Sequence, residues 1–351
     1  MKTNKFLIPI ATFGLLVLSC SKSSTPAAVS PTAAKQTFST VNTDVAASVA
    51  GLNSAPGNVA LNSFATFSSA TGSPFGRIKS FNRPGDIKSA INGGLASIRQ
   101  MILKGSGSGR MEASTPFNFA GKTGIYIYNF GTKGFDKSQT ASDIIKIDYP
   151  KDNSSTTNDA ELQISAYTET STPSGYSPTL IQAAIYISGT KELELKLTAG
   201  YDSNGNANQG SISLFINPYT VSFAFDDSGA TSGTESFSFS KGAEVIIGTS
   251  FTATFLSAAD KASGNPPSAL TGYLQLENVR FNMSVDGTKT SSNYNDYVFI
   301  TVTVDGGVAG HVVWVTDQNN VQQPYVQYND GSQEALETVF ADLNTQLSSL
   351  G

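Results

Sequence analysis

The single histidine of this chain, His311, is the first residue to weigh for chemistry, because imidazole is the commonest metal ligand in proteins and titrates near neutral pH. A serine hydrolase would pair it with a nucleophile, but the sequence contains no Gly-x-Ser-x-Gly motif. Zinc or non-haem iron sites of the usual kind need two or three imidazoles, and glycine-rich nucleotide loops are absent as well. On a strand, His311 shares a face with Ala309, Val313 and Val315, so the sequence predicts a packed or half-exposed strand histidine.

Carboxylates are the other acid–base groups, and hydrolysis of a glycosidic bond needs only two of them. The acidic residues lie mostly in predicted turns or on the wet faces of predicted strands, where a solvated structural role is the ordinary one. We therefore expect no catalytic residue and no enzymatic activity, with a carboxylate-based glycoside hydrolase as an alternative. The acidic residues concerned are Asp152, Asp159, Glu161, Glu192, Glu194, Asp202, Asp226, Asp227, Asp286 and Asp305.

The best candidate for a cation site is the segment Asp-Ser-Asn-Gly-Asn, in which Asp202, Asn204 and Asn206 place oxygen ligands at alternate positions, as in a calcium loop. The segment departs from the EF-hand pattern, because its sixth and twelfth positions hold alanine and serine in place of glycine and glutamate. A hairpin turn between two strands explains the same residues without a metal. We therefore predict a turn, no metal site and no cofactor.

A run of alternating bulky residues gives a sign of ligand binding, since Tyr126, Tyr128 and Phe130 alternate with Ile125 and Ile127. Such a strand either lies between the sheet and a helix or exposes one face as an aromatic platform that stacks on sugar rings. Burial is the favoured alternative, because aromatic side chains contribute most of their energy inside a core. The platform stays as a weak hypothesis of glycan binding.

The N-terminus has the features of an export signal, with Lys2 and Lys5 ahead of an apolar run at 6–18. This run is too short to span a bilayer, which takes about 20 apolar residues. It is followed by Cys20, the only cysteine of the chain, in the sequence Val-Leu-Ser-Cys. This sequence resembles the lipobox of bacterial lipoproteins, although that family most often has leucine where Val17 stands.

The resemblance to lipoproteins covers the first 20 residues and implies a signal peptide at 1–19 and a lipid-bearing Cys20 as the mature N-terminus. In that family diacylglycerol is joined to the cysteine sulfur and the new amine is usually acylated, so the implied partner is a membrane. Ser21 stands in place of the aspartate associated with inner-membrane retention in some bacteria, which favours the outer membrane. We therefore expect a lipid-anchored protein of the cell envelope, with the leaflet left open.

Charge and composition narrow the partners further. Loss of Lys2 and Lys5 with the signal would change the net charge from −5 to −7, which argues against nucleic acid because phosphate binding depends on clustered Lys and Arg. With Cys20 modified, the mature chain has no thiol for a disulfide, a zinc–thiolate site or a nucleophile. Stability must therefore come from packing.

The segment 20–36 is polar and punctuated by proline, which is typical of a flexible tether. A helical N-terminal segment is predicted at 37–110. Apolar residues recur there at helical spacing from 38 to 52 and again from 87 to 102, with a further turn of helix at 61–67.

From about Thr123 the apolar period changes from 3.6 to 2, as where the leucines at 193–197 alternate with Glu and Lys. This pattern predicts antiparallel strands with one buried face. The run 273–285 has a phase break, which we interpret as a β-bulge near Glu277-Asn278. Strands are expected near 123–130, 143–149, 161–166, 180–188, 192–197, 210–216, 219–225, 235–240, 244–256, 272–285, 296–304 and 308–316.

The chain ends in a predicted helix at 332–350 with a continuous apolar stripe. We therefore predict an α+β fold, in which a large, mostly antiparallel, meandering sheet carries the N-terminal helices and the C-terminal helix on its apolar face. The β-rich part is 120–351, and 37–351 should form one domain. In one version the sheet curls into a half-barrel.

The function that these features favour is that of a lipid-anchored envelope protein with a binding or structural role and no enzymatic activity. One alternative is a half-barrel that holds a lipid or other apolar ligand, which resembles bacterial lipoprotein carriers and receptors in architecture alone. Another is a module that binds a glycan or an envelope protein through exposed aromatic residues.

Overall fold

The computed structural model describes residues 27–57, 59, 116–173 and 175–349. The signal, Cys20, the predicted turn of helix at 61–67 and the predicted helix at 87–102 lie outside the described residues. Within them, no helix is both long enough and apolar enough to span a membrane.

Sixteen strands form one open sheet in the part of the chain that the structure describes, and the predicted α+β fold is confirmed. From β3 onward, each strand pairs antiparallel with the next along the chain. At one edge β1 pairs with β2 and runs parallel to β3. The strands are β1 (Gly124–Asn129), β2 (Gly134–Lys137), β3 (Ile145–Tyr149), β4 (Ala160–Thr172), β5 (Gly175–Ile187), β6 (Thr190–Tyr201), β7 (Ala207–Ile216), β8 (Tyr219–Asp226), β9 (Ser232–Lys241), β10 (Glu244–Thr254), β11 (Ala269–Leu276), β12 (Val279–Asp286), β13 (Val298–Val304), β14 (Gly307–Thr316), β15 (Gln322–Tyr328) and β16 (Gln333–Ala335).

The two faces of the sheet differ in polarity, as the alternation of apolar and polar residues along the strands predicts. Apolar side chains from neighbouring strands, such as Leu195 and Leu214, lie opposite each other on the inward face and are buried. The outer face carries polar pairs, including the Thr198 and Ser211 hydroxyls 2.8 Å apart. Cross-strand pairs of this kind stabilise a sheet by roughly 0.2–1 kcal/mol each.

The helices near the two ends of the chain pack on the inward face. The longest helix among the described residues is α1 (Pro31–Asn53), which begins with a proline at its first position and a Ser30 side chain that accepts a hydrogen bond from the Ala33 N–H. The expected tether at 20–36 is therefore wrong at its C-terminal end, because these capping signals start the helix at Pro31. The buried stripe of α1 consists of Ala34, Phe38, Val41, Val45, Val49 and Leu52.

The other helices that the structure describes are short. They are α2 (Phe119–Lys122), α3 (Ala258–Ala262), a 3-10 turn (Tyr294–Asp296), α4 (Leu336–Val339) and α5 (Ala341–Ser349).

The C-terminal region differs from the single predicted helix at 332–350. Gly331 has a φ of +84° and completes a hairpin turn, so the next residues pair with β15 as β16 and the helical part begins only at Leu336. The helix is then interrupted at Phe340, which has φ −117° and ψ 38°. The apolar stripe still packs, since Phe340 contacts Phe38 and Phe281 at ring-centroid distances of 6.0 and 5.9 Å.

The predicted bulge at Glu277-Asn278 is also wrong. Glu277 has a φ of +50°, and the chain reverses there so that Leu276 pairs with Val279 across a tight turn. The phase break separates two strands, β11 and β12, because a hairpin returns both apolar sets to the same face.

The ends of the strands define two rims. The helix rim consists of the two-residue turns at 188–189, 217–218, 242–243, 277–278 and 305–306, and α1 runs along it. The start of α1 is fixed where the Val29 N–H donates to the Val308 carbonyl at 2.8 Å, and farther along the helix a side chain at Gly51 would collide with the Tyr219 hydroxyl. The loop rim, at the opposite ends, consists of the longer connections 202–206, 227–231, 255–268, 287–297 and 317–321.

Candidate functional site

His311 lies on β14 with an exposed side chain, and its Nδ1 is 3.5 Å from the Thr301 hydroxyl. The expectation that it shares a face with Ala309 is wrong. The register between β13 and β14 shifts after Val302, which leaves Ala309 as an extra residue buried in the core. The histidine therefore faces solvent on the polar side of the sheet.

The Asp202 segment forms the turn between β6 and β7. One carboxylate oxygen of Asp202 accepts the backbone N–H groups of Asn204 and Asn206, each at 2.9 Å, and these bonds lower the pKa of Asp202, with that from Asn206 foremost. Because the carboxylate is used to close the turn, the segment has the form of a hairpin. Among the residues that the structure describes, no group of three or more acidic or histidine side chains is placed to hold a metal ion.

The aromatic run on β1 does not form a flat platform. Tyr126 is buried, and its hydroxyl donates to the Lys122 carbonyl at 2.8 Å. Tyr128 lies edge-on between Phe130 and Phe135, with ring centroids 5.3 and 5.5 Å away. Only Phe130 of the three predicted residues is exposed, so this strand presents one accessible ring.

A polar groove of about 640 Å³ lies between the first half of α1 and the helix rim. Glu244 and Glu277 contribute carboxylates to it. Burial, followed by repulsion from Asp44 and Glu244, raises the pKa of Glu277. The groove is lined by Gln36, Thr37, Thr40, Val41, Glu244, Val245, Gln275, Glu277 and Asn278.

A second region, missed by the sequence analysis, lies where β13 to β15 meet the loop rim. Large apolar side chains are concentrated there in exposed positions, which is more informative than a scattered exposed leucine. Phe299 is 56% exposed, and Tyr294 is 40% exposed. The exposed residues of this region are Tyr294 and Val321 in the two loops, and Phe299 and Val315 on the outer face of β13 and β14.

Three aromatic rings form the centre of this region. Tyr294 packs edge-on against Trp314, with ring centroids 5.0 Å apart and planes at 72°, and against Tyr297 at 5.8 Å. Trp314 points toward the inward face, on the same side of β14 as the buried Val312. We call Tyr294, Tyr297 and Trp314 the rim aromatics.

Two polar side chains hold the rim aromatics in place. Asn295 bridges to the backbone of Trp314 in both directions, donating to its carbonyl at 2.8 Å and accepting from its N–H at 2.9 Å. Gln322 accepts from the Tyr294 N–H at 3.0 Å and donates to the Ser292 carbonyl. The loop 287–297 is thus tied to β14 and β15, which positions the backbone of Tyr294 and Trp314 before any ligand arrives.

The sequence carries a weak signal for this region. The segments Ser-Ser-Asn-Tyr-Asn-Asp at 291–296 and Asp-Gln-Asn-Asn at 317–320 are rich in turn-forming polar residues, and Trp314 is the only tryptophan of the chain. Nothing in the sequence joins these segments, because their contact depends on the register between β13, β14 and β15. The chain matches no protein-family model, no curated protein and no solved structure.

Proposed function

We propose that the protein is a lipid-anchored protein of the bacterial cell envelope that binds a partner through its loop rim and has no catalytic role. The observation that carries this proposal is the attachment of Val29. Its N–H donates to the Val308 carbonyl at 2.8 Å, and its carbonyl accepts from the Asn329 amide at 3.1 Å. The chain is therefore fixed to the helix rim only nine residues after Cys20.

The distance from the membrane follows from chain length. Nine extended residues span at most about 30 Å, at roughly 3.3–3.6 Å each. A lipid on Cys20 would keep the helix rim within that distance of the bilayer. The ten residues of β14 add about 30 Å more before the loop rim is reached, at roughly 3.3 Å per residue. The loop rim would then be the end that is free to meet a partner.

The proposal also holds that the protein is not an enzyme. His311 is exposed on the outer face, and the Asp202 carboxylate is used within its own turn. A rigid sheet that carries its longer connections at one end is an arrangement that often serves binding.

The apolar-ligand alternative receives less support from the inward face. Near the helix rim this face is covered by α1, whose Phe38 and Val45 side chains are buried against it. A lipid would therefore have to displace the helix or bind nearer the loop rim.

Metabolic labelling with an alkyne fatty acid tests the anchor. We expect label on the wild-type chain and none on Cys20→Ala, which should leave the membrane fraction. An unlabelled wild-type chain, or a labelled and membrane-bound Cys20→Ala, would refute the anchor.

Energy transfer tests the orientation, because a chain whose Cys20 sulfur carries diacylglycerol has no free thiol. Thr32→Cys, in the first turn of α1, and Ser292→Cys, at the loop rim, both place a thiol at an exposed hydroxyl position. With a dye on each thiol and an acceptor lipid in liposomes, we expect stronger transfer from Thr32→Cys. Equal or reversed transfer would contradict the proposed display of the loop rim.

A further inference from the structure

The rim aromatics lie among side chains that can form many hydrogen bonds. Tyr294 is exposed, and Asn293, Asn319 and Asn320 are exposed in the two loops around it. Exposed tyrosine with adaptable amide side chains on loops is a composition that favours binding without a deep pocket. A partner suited to this surface has an apolar face to lie on a ring and hydroxyl groups to bond the amides.

Charge and area restrict that partner further. Asp296 and Asp317 lie in the same two loops, so a phosphate- or sulfate-bearing partner would meet carboxylates. The exposed part of Tyr294 amounts to about 100 Å² at most, if a large aromatic side chain presents roughly 250 Å². An apolar contact of this size matches one sugar ring, whereas a stable protein interface buries roughly 800 Å² on each partner around a larger apolar core.

We propose that Tyr294, supported by Trp314, forms a binding site for a neutral saccharide. The exposed tyrosine ring would stack on the C–H face of one sugar unit, and the loop amides would bond its hydroxyls. Asn295 and Gln322 already bond the backbone of this loop and of β14, so binding requires little further ordering of the loop. This inference rests on the proposed function, because only a rim turned away from the membrane can reach a polysaccharide.

The single tryptophan provides the measurement. The full-length protein in detergent is titrated with the neutral hexasaccharides of cellulose, starch, mannan and chitin while the fluorescence of Trp314 is recorded. We expect at least one to shift the emission with saturation, and Tyr294→Ala to weaken that binding about tenfold or more. Tyr294→Phe keeps the ring and should bind within about threefold of the wild type.

A matched control distinguishes loss of the Tyr294 site from the loss of any exposed aromatic ring. Phe130, on the far edge of the sheet, is 43% exposed against 40% for Tyr294. Phe130→Ala should leave saccharide binding unchanged. The inference is overturned if no hexasaccharide binds by fluorescence or calorimetry, or if Tyr294→Ala binds as tightly as the wild type. Saccharide binding by a chain that takes no lipid label would overturn the anchor and leave the site standing.

Discussion

The two ends of β13 differ in how deeply they bury their side chains. On its inward face Val302 and Val304, near the helix rim, are buried, whereas Ile300, nearer the loop rim, is only half-buried. The neighbouring Phe299 points outward and is 56% exposed. The turns at the helix rim are two residues long and lie beside α1, while the loop 287–297 is longer and makes its bonds mainly through side chains. In this part of the sheet packing is thus concentrated at the helix rim, whereas on β8 Phe223 and Phe225 form a second buried cluster toward the loop rim.

The largest effect should come from the core beneath α1. Phe38 is 1% exposed and its ring lies about 6 Å from those of Tyr328 and Phe340. Phe38→Ala should lower the free energy of unfolding by about 4 kcal/mol, because it leaves a cavity in a packed interior. Phe299→Ala, at an exposed position on the outer face near the loop rim, should change it by less than about 0.5 kcal/mol. Urea unfolding followed by circular dichroism measures both, and similar losses would erase the difference between the rims.

The second largest effect on the free energy of unfolding is expected at the contact between α1 and α5. The Asn42 amide donates to the Asp342 carboxylate at 2.8 Å, and its carbonyl oxygen accepts from the Leu343 N–H at 2.9 Å. Asn42→Ala should lower the free energy of unfolding by about 2 kcal/mol, since it leaves a buried N–H without its acceptor. Asn344→Ala, an exposed position on α5, is the control and should have almost no effect. Equal unfolding midpoints for Asn42→Ala and the control would show that the two helices do not support each other.

These contacts mark the limit of what the sequence could predict. The strands at 193–197 and 219–225 were evident because each alternates cleanly, and the stripe of α1 was evident because it recurs at helical spacing. The strand β15 was missed because Pro324 and its glutamines weaken the strand pattern. The turn at Glu277 was mistaken because a non-glycine residue adopts a positive φ there. The rim aromatics were missed because they meet only through strand register.

At the loop rim the ammonium group of Lys261 makes three hydrogen bonds to the backbone. It donates to the carbonyls of Asp227, Gly229 and Ser232 at 2.7, 2.7 and 2.5 Å, and so joins α3 to the loop between β8 and β9. Lys261→Met keeps the length of the side chain and removes these bonds, and we expect a loss of about 1.5 kcal/mol.

The control for Lys261 is Lys289→Met, an exposed lysine in the loop 287–297, which should leave the melting temperature unchanged. Hydrogen exchange should locate the effect of Lys261→Met in residues 227–232, with the α1 amides as protected as in the wild type. Loss of protection in α1 would mean that the two rims unfold together and would contradict the comparison.

The smallest effect is the pH dependence, which should have opposite signs in the two regions. The raised pKa of Glu277 means that its charged form opposes folding, so its favourable contribution is present at low pH and is lost as the pH rises through the folded-state pKa. The lowered pKa of Asp202 means that its contribution is present at neutral pH and is lost as the pH falls through the folded-state pKa.

Two isosteric variants measure these signs. Glu277→Gln should stabilise the protein at pH 7 by less than about 1 kcal/mol, because the side chain is only partly buried, and should match the wild type near pH 3. Asp202→Asn should destabilise the protein at pH 7, with a difference that shrinks in acid as the wild-type carboxylate becomes protonated. The unfolding midpoints of the wild type and of both variants, measured at pH 7 and near pH 3, test these signs. The same sign for both variants at pH 7 would mean that repulsion among Glu277, Asp44 and Glu244 does not set the stability of the helix rim.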